Sequence, residues 1–166
     1  LVKSSAASDV YKRQVNYYDE IWVIDHSTTT SEAQSDTGGN YNKGGDLIYR
    51  FGNPNTYNSL GDKIFDKIHF PNLLEDGVPG EGNVLVYVNG NSTEQSIIYE
   101  LAMPSNFSLE SNFNNEPNIV WSYLNDEIFS GKLCGAIRLP NGNTLITESD
   151  YGLWEVTENG EIAWKY

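Results

Sequence analysis

The sequence predicts an all-β fold: a partial β-propeller of about two and a half blades, each blade a four-stranded antiparallel sheet. Three observations predict it. The segment 138–166, RLPNGNTLITESDYGLWEVTENGEIAWKY, alternates apolar runs with two Asn-Gly turns, a strong local hairpin signal. The composition is aromatic and rich in turn residues, with Gly 15, Tyr 11 and Trp 4, which suits a many-turned sheet protein better than a helical one. The strand aromatics Tyr49, Trp121 and Trp164 recur at spacings of 72 and 43 residues, a period that fits blades of four short strands.

The elements follow in chain order. Asp19–His26 alternates as a strand, with Ile21, Val23 and Asp25 on one face and Trp22 and Ile24 on the other. Ser27 to Gly45 is polar, has no helical period and reads as a long loop. Asp46–Phe51 is the next strand, broken by Gly52-Asn53-Pro54-Asn55. Thr56–Lys67 is irregular, with room for a short helical turn. His69 opens the first strand of a second blade, roughly 68–123, and Val84–Val88 is its buried strand. Ser96–Leu101 and Asn118–Tyr123 complete it, the latter after an Asn- and Ser-rich insertion from Met103 to Glu116. A third blade, roughly 131–166, holds strands at Asn143–Glu148, Gly152–Thr157 and Glu161–Tyr166. Its two turns contain Asn-Gly, which supplies the positive φ that primed two-residue turns need. The units align internally: 44–49 with 159–164, 77–87 with 139–146, 96–101 with 152–156, and 118–123 with 161–166. The first blade, 19–53, shows only its last two strands.

At 166 residues the chain can bury one core of ordinary size. Its net charge of −13 argues against nucleic acid or an anionic membrane as the main partner, because phosphate binding needs a basic face. No apolar run approaches the ~18–20 residues that span a bilayer. The one cysteine, Cys134, allows no internal disulfide and reads as a small buried group. Residues 1–14, LVKSSAASDVYKRQ, differ from the rest: Lys3, Lys12 and Arg13 outnumber Asp9, and glycine and a clear strand pattern are missing. They resemble translated adaptor sequence and are set outside the fold, which leaves 15–166 as the propeller portion. Both ends read as cuts, so the chain is expected to be an internal piece of a longer protein. A blade cannot bury its apolar faces alone. Trp22, Trp121, Trp154 and Trp164 are therefore expected between sheets, with some of that surface bare and prone to self-association.

The segments EIWVIDHSTTTSEAQSDTGGNYNKGGDLIYRFGNP (20–54), GVPGEGNVLVYVNG (77–90) and IRLPNGNTLITESDYGLWEVTENGEIAWKY (137–166) resemble the arylsulfotransferase family, over roughly residues 15–166 and in the family's order. WVIDHSTTT followed by GGDLIYRFGNP is the distinctive part. The resemblance implies a six-bladed propeller, periplasmic or secreted. It also implies transfer of a sulfuryl group from an aryl sulfate ester to a phenolic acceptor through a sulfated histidine, with no metal or other cofactor. Partners on that reading are aryl sulfates, phenols and the remaining blades of the same chain.

The residues that could carry this chemistry are few. His69, at the entry to an inner strand, faces the propeller funnel, where the family's blades carry an inward histidine. It reads as a donor to sulfate, as the nucleophile, or as a structural histidine at a strand end. Asn72 lies three residues on and could share the funnel. Arg138 offers a guanidinium suited to bidentate sulfate binding, although its strand position places it far from His69. His26, with Ser27, Thr28 and Thr29, reads as tying down the loop that follows it. Lys132 stands where a third-blade inward histidine is expected. No histidine follows His69, so the family's covalent histidine lies outside this stretch or is absent. Asn91 and Asn106 fall in glycosylation sequons, and Glu75-Asp76 and Asp126-Glu127 lack ordered calcium-ligand spacing. Two other readings stand beside the enzyme. One is a non-catalytic propeller used for binding or surface interaction. The other is a quinone-dependent dehydrogenase propeller, which needs Trp-docking motifs that the sequence does not show.

Overall fold

The computed structural model describes residues 10–112, 114–150 and 152–166. The strands are Val10–Val15 (β1), Glu20–Asp25 (β2), Leu47–Phe51 (β3), Ile68–Leu73 (β4), Val84–Val88 (β5), Ile97–Ala102 (β6), Asn118–Leu124 (β7), Gly135–Arg138 (β8), Thr144–Glu148 (β9), Gly152–Val156 (β10) and Ile162–Lys165 (β11). They form three antiparallel sheets, β1-β2-β3, β4-β5-β6-β7 and β8-β9-β10-β11, each pairing its strands in sequence order. The fold is all-β, and none of the sheets closes on itself. Among the described residues, no helix is long and apolar enough to cross a membrane.

Sheet 2 is packed on both faces, and its strand β5 shows why. Side chains alternate across a strand, so Val84, Val86 and Val88 join one apolar cluster while Leu85 and Tyr87 join another. All five are buried, which explains the unbroken apolar run VLVYV. The first cluster sets Ile21, Val23, Tyr49 and Phe51 of sheet 1 against Val84, Val86, Val88 and Leu101 of sheet 2. The second sets Leu85, Tyr87, Ile98 and Tyr123 of sheet 2 against Ala136, Ile146, Trp154 and Val156 of sheet 3. Each large apolar side chain so buried contributes roughly 1.5–3 kcal/mol.

One aromatic pair recurs in or directly after the last strand of each sheet. Tyr49 and Phe51 stack with centroids 5.3 Å apart, Trp121 and Tyr123 at 6.4 Å, and Trp164 and Tyr166 at 6.1 Å. Registers agree: Val23 faces Tyr49, Glu100 faces Trp121 and Glu155 faces Trp164. The internal alignment of the sequence is thus a repeat in space.

Two expectations change. The Asn-Gly hairpins are not two-residue primed turns. Gly142 N–H donates to Leu139 O (2.9 Å) and Leu139 N–H to Asn143 O (2.8 Å); Gly160 and Thr157 bond in the same pattern at 3.0 and 2.8 Å. Gly142 and Gly160 take φ of +88° and +82°, while Asn141 and Asn159 stay at negative φ. These are three-residue loops, a type I turn followed by a left-handed glycine, and Pro140 suits the first central position because its φ is already set. The second change concerns residues 10–14. They belong to β1, whose residues 10–15 pair with β2 from Val10 opposite Asp25 to Val15 opposite Glu20. Sheet 1 therefore has three strands, one more than the pattern showed. Backbone pairing needs no apolar alternation, so an edge strand can be supplied by a polar stretch such as VYKRQV.

Candidate functional site

The entry end of β4 is where the sequence places its best candidate. His69 lies on this strand, opposite Tyr87 of β5. Its Nδ1 is 2.6 Å from Asn89 Oδ1, and Leu133 N–H donates to its Nε2 at 3.3 Å. An Nε2 that accepts from a backbone amide leaves the ring proton on Nδ1, where it is donated to Asn89; the tautomer follows from the network. Asn89 is fully buried and completes the arrangement, donating from Nδ2 to Ser130 O (2.7 Å) and Leu133 O (3.2 Å). Ser96 Oγ donates to Asn89 O (2.9 Å) and accepts from Ser130 N (3.1 Å). The result is a polar lock that fixes residues 130–133, the approach to β8, onto sheet 2.

Chemically this arrangement holds a loop. A nucleophilic imidazole needs a nitrogen lone pair aimed at the incoming atom, and the Nε2 lone pair of His69 points at Leu133 N–H. The other nitrogen spends its proton on Asn89. Asn89 belongs to no functional motif in the sequence. Its only signal is the Asn-Gly step after the VLVYV strand, which reads as a turn and says nothing of what the amide reaches across to.

Asn72 sits past a break in register. The pairing of β4 with β5 shifts between His69 and Asn72, and Phe70 takes φ +51° within the bulge. Asn72 Nδ2 bridges the irregularity, donating to Ala136 O (2.8 Å), Phe70 O (3.1 Å) and Leu85 O (3.3 Å). It therefore joins β4 to β8, the first strands of neighbouring sheets.

Arg138 lies at the far end of β8 and does not join His69. Its Nη2 donates to Glu100 Oε2 of β6 (2.6 Å), and its guanidinium lies 5.0 Å from the Trp121 ring centroid. Both charged side chains are buried, so the guanidinium serves a partner within the protein. The three sequence candidates thus mark three separate links between sheets 2 and 3.

The loop after β2 is tied as expected, although the anchor is Asp25. This buried carboxylate accepts from Ser27 N (3.0 Å) and Ser27 Oγ (2.6 Å), and from Tyr41 N (3.4 Å). Ser27 Oγ accepts from Asn40 N (2.6 Å). Thr29 and Glu32 bond reciprocally: Thr29 N donates to Glu32 Oε2 (2.8 Å) and Glu32 N to Thr29 Oγ1 (3.3 Å), a capping-box pattern around the short 3-10 turn Glu32–Gln34. His26 is exposed at the start of this loop. Lys132 is exposed, and its carbonyl accepts from Ser149 Oγ (3.1 Å). Cys134 is half-buried.

A second cluster carries no recognisable motif in the sequence. Glu20 is fully buried and takes a bidentate grip from Arg50, Nη2 to Oε1 at 2.6 Å and Nε to Oε2 at 2.8 Å, with Trp22 Nε1 also donating (2.6 Å). Arg50 lies between Trp22 and Tyr57. Glu116 accepts from Gly52 N (2.7 Å) and from the Tyr57 hydroxyl. Burial raises the Glu116 carboxyl above its ordinary range, and burial with the neighbouring Glu116 raises the Tyr57 phenol.

Two open clefts meet at Phe70. One, of about 310 Å³, is apolar and lined by residues that include Cys134, Ile137, Leu145 and Thr147. The other, of about 360 Å³, is polar and lined by Lys12, Arg13, Gln14, Asn16, Phe70 and Pro71. The basic lining of the second comes from the stretch that the sequence sets apart, and no site is assigned to it. Among the described residues, no group of three His, Cys, Asp or Glu side chains gathers to hold a metal ion. Compared with family models, with curated proteins and with solved structures, the chain has no match.

Proposed function

We propose that the chain is part of a β-propeller of the arylsulfotransferase type, active in the periplasm or outside the cell. On this reading a sulfuryl group leaves an aryl sulfate as its phenolate departs, rests on a histidine nitrogen, and passes to a phenolic oxygen that loses its proton. One observation carries the propeller part: successive sheets pack face to face through the same repeated positions, with the first strands β4 and β8 side by side. The family part rests on the motifs at 20–54, 77–90 and 137–166 and on His69 at the entry of an inner strand. With both its nitrogens engaged, His69 shapes the funnel wall, and the covalent histidine belongs to other blades.

A non-catalytic binding propeller is the second reading, and the lock around His69 favours it. The deciding experiment uses the protein encoded by the complete reading frame, with p-nitrophenyl sulfate as donor and phenol as acceptor. Release of p-nitrophenolate that depends on phenol is the expected result. A folded protein that releases none sinks the enzyme and leaves the binding module.

A further inference from the structure

The outer face of sheet 3 repeats the face that sheet 2 presents to sheet 3. On sheet 2, Asn83 Nδ2 donates to Glu100 Oε1 (2.6 Å), and Arg138 of the next sheet donates to Glu100 Oε2 (2.6 Å). The guanidinium covers Trp121, whose Nε1 donates to Glu158 O in a turn of sheet 3 (2.8 Å). On sheet 3, Asn143 Nδ2 donates to Glu155 Oε1 (2.6 Å), and Glu155 stands opposite Trp164 as Glu100 stands opposite Trp121. Trp164 and Tyr166 stack at an interplanar angle of 8°, as Trp121 and Tyr123 do at 11°.

The occupant is what differs. Tyr123 is 4% exposed, whereas Trp164 and Tyr166 are 46% and 84% exposed. Among the described residues, no ion pair reaches Glu155. The apolar cleft beside Cys134, Ile137 and Leu145 opens on this same sheet.

We propose that this face docks a further four-stranded sheet, recognised by an arginine at the end of its first strand that enters between Glu155 and Trp164. The occupant follows from continuity with the interface between sheets 2 and 3 and from charge: a carboxylate already oriented by an asparagine, beside an open indole face, lacks only a cation. A second copy of the chain cannot supply it from the same position, because its Arg138 is already buried against its own Glu100. The proposal rests on the propeller part of the reading above and is independent of sulfuryl transfer.

The test extends the full chain with a second copy of residues 125–166 whose cysteine is changed to serine. The copy brings the equivalent of Arg138 to the exposed face. Circular dichroism reports whether the added unit folds. With Cys134→Ser also in the original copy, Ile137→Cys, at a 40% exposed position that lines the cleft, supplies a thiol whose labelling reports whether the cleft is covered. The expected result is added β signal and labelling slowed about tenfold. E155Q in the extended chain should restore most of the lost reactivity. Glu155→Arg combined with Arg→Glu in the copy should slow it again. Four results overturn the proposal. A folded copy with unchanged labelling removes the docking. Equal protection in E155Q removes the arginine recognition and leaves the propeller standing. Concentration-dependent protection of the unextended chain makes a second copy the occupant. A copy that fails to fold as a sheet overturns the propeller reading as well.

Discussion

The two layers between sheets use the same positions and fill them with opposite chemistry. Between sheets 1 and 2 the equivalent residues are Val23, Tyr49 and Leu73, all packed in or against one apolar cluster. Between sheets 2 and 3 they are Glu100, Trp121 and Arg138, an ion pair capped by an indole. Registers fix the correspondence: Val23 faces Tyr49 as Glu100 faces Trp121, and Leu73 faces Val84 as Arg138 faces Thr144. One backbone frame therefore accepts a dry triad or a charged one, provided all three members change together. Desolvating two charges costs about as much as their attraction returns, so the charged layer is expected to be no more stable than the apolar one. It adds specificity of partner and register, and it leaves polar atoms such as Arg138 Nε and Trp154 Nε1 buried without a partner.

Breaking the charged triad gives the largest expected effect. Arg138→Leu strands the buried Glu100 carboxylate and should lower the unfolding free energy by about 3–5 kcal/mol in urea titrations; a loss under 1 kcal/mol would show that the pair is not desolvated. Next comes the lock at the strand-entry end of the same layer. Asn89→Ala removes two donors from the carbonyls of Ser130 and Leu133 and should cost about 2 kcal/mol. His69→Ala should be non-additive with it by about 1 kcal/mol in a double-mutant cycle, since the two share a bond. Converting the second layer into the first is expected to matter less in net terms. Glu100→Val, Trp121→Tyr and Arg138→Leu together should fall within about 1.5 kcal/mol of the parent, although the arginine change alone is severe. Equal loss in the triple and single variants would break the comparison.

The smallest effect is a slope with pH at the rim of the first layer. Burial holds the Glu116 carboxyl above its ordinary 4.5, so the folded state binds this proton more tightly than the unfolded state. The contribution is full below pH about 4.5 and is lost as pH rises through the folded value. Stability of the parent relative to E116Q should therefore decline on going from pH 4 towards 7, read from denaturant midpoints. A rise over that range would reverse the assigned sign.

Much of the fold is legible along the chain. VLVYV is apolar throughout because sheet 2 is covered on both sides, and DEIWVID alternates because Ile21, Val23 and Asp25 turn inward together. The left-handed glycines, Gly142 and Gly160, mark the hairpins but not their loop lengths: Asn before Gly also fits a type I turn, and only the backbone bonds separate the two. β1 is not legible there, because its strand character comes from pairing with β2 and leaves no trace in the polarity of YKRQ. The candidate site was legible only as residue types. His69, Asn72 and Arg138 carry donor groups of the kind that sulfate would need, and sequence alone does not say that His69 meets Asn89 and Leu133, Asn72 meets Ala136 and Arg138 meets Glu100.

The amino-acid sequence by itself determined most of the strands, the places where the chain turns and the repeat that relates three sheets, because alternation, turn residues and aromatic spacing are local. The tertiary structure alone decided which polar groups meet. Arg138 reaches Glu100, His69 reaches Asn89 and Leu133, and Asn72 reaches Ala136, all across tens of residues of chain. Such pairs form where two sheet faces stack about 10 Å apart, and that distance is set by packing, which no stretch of sequence carries on its own.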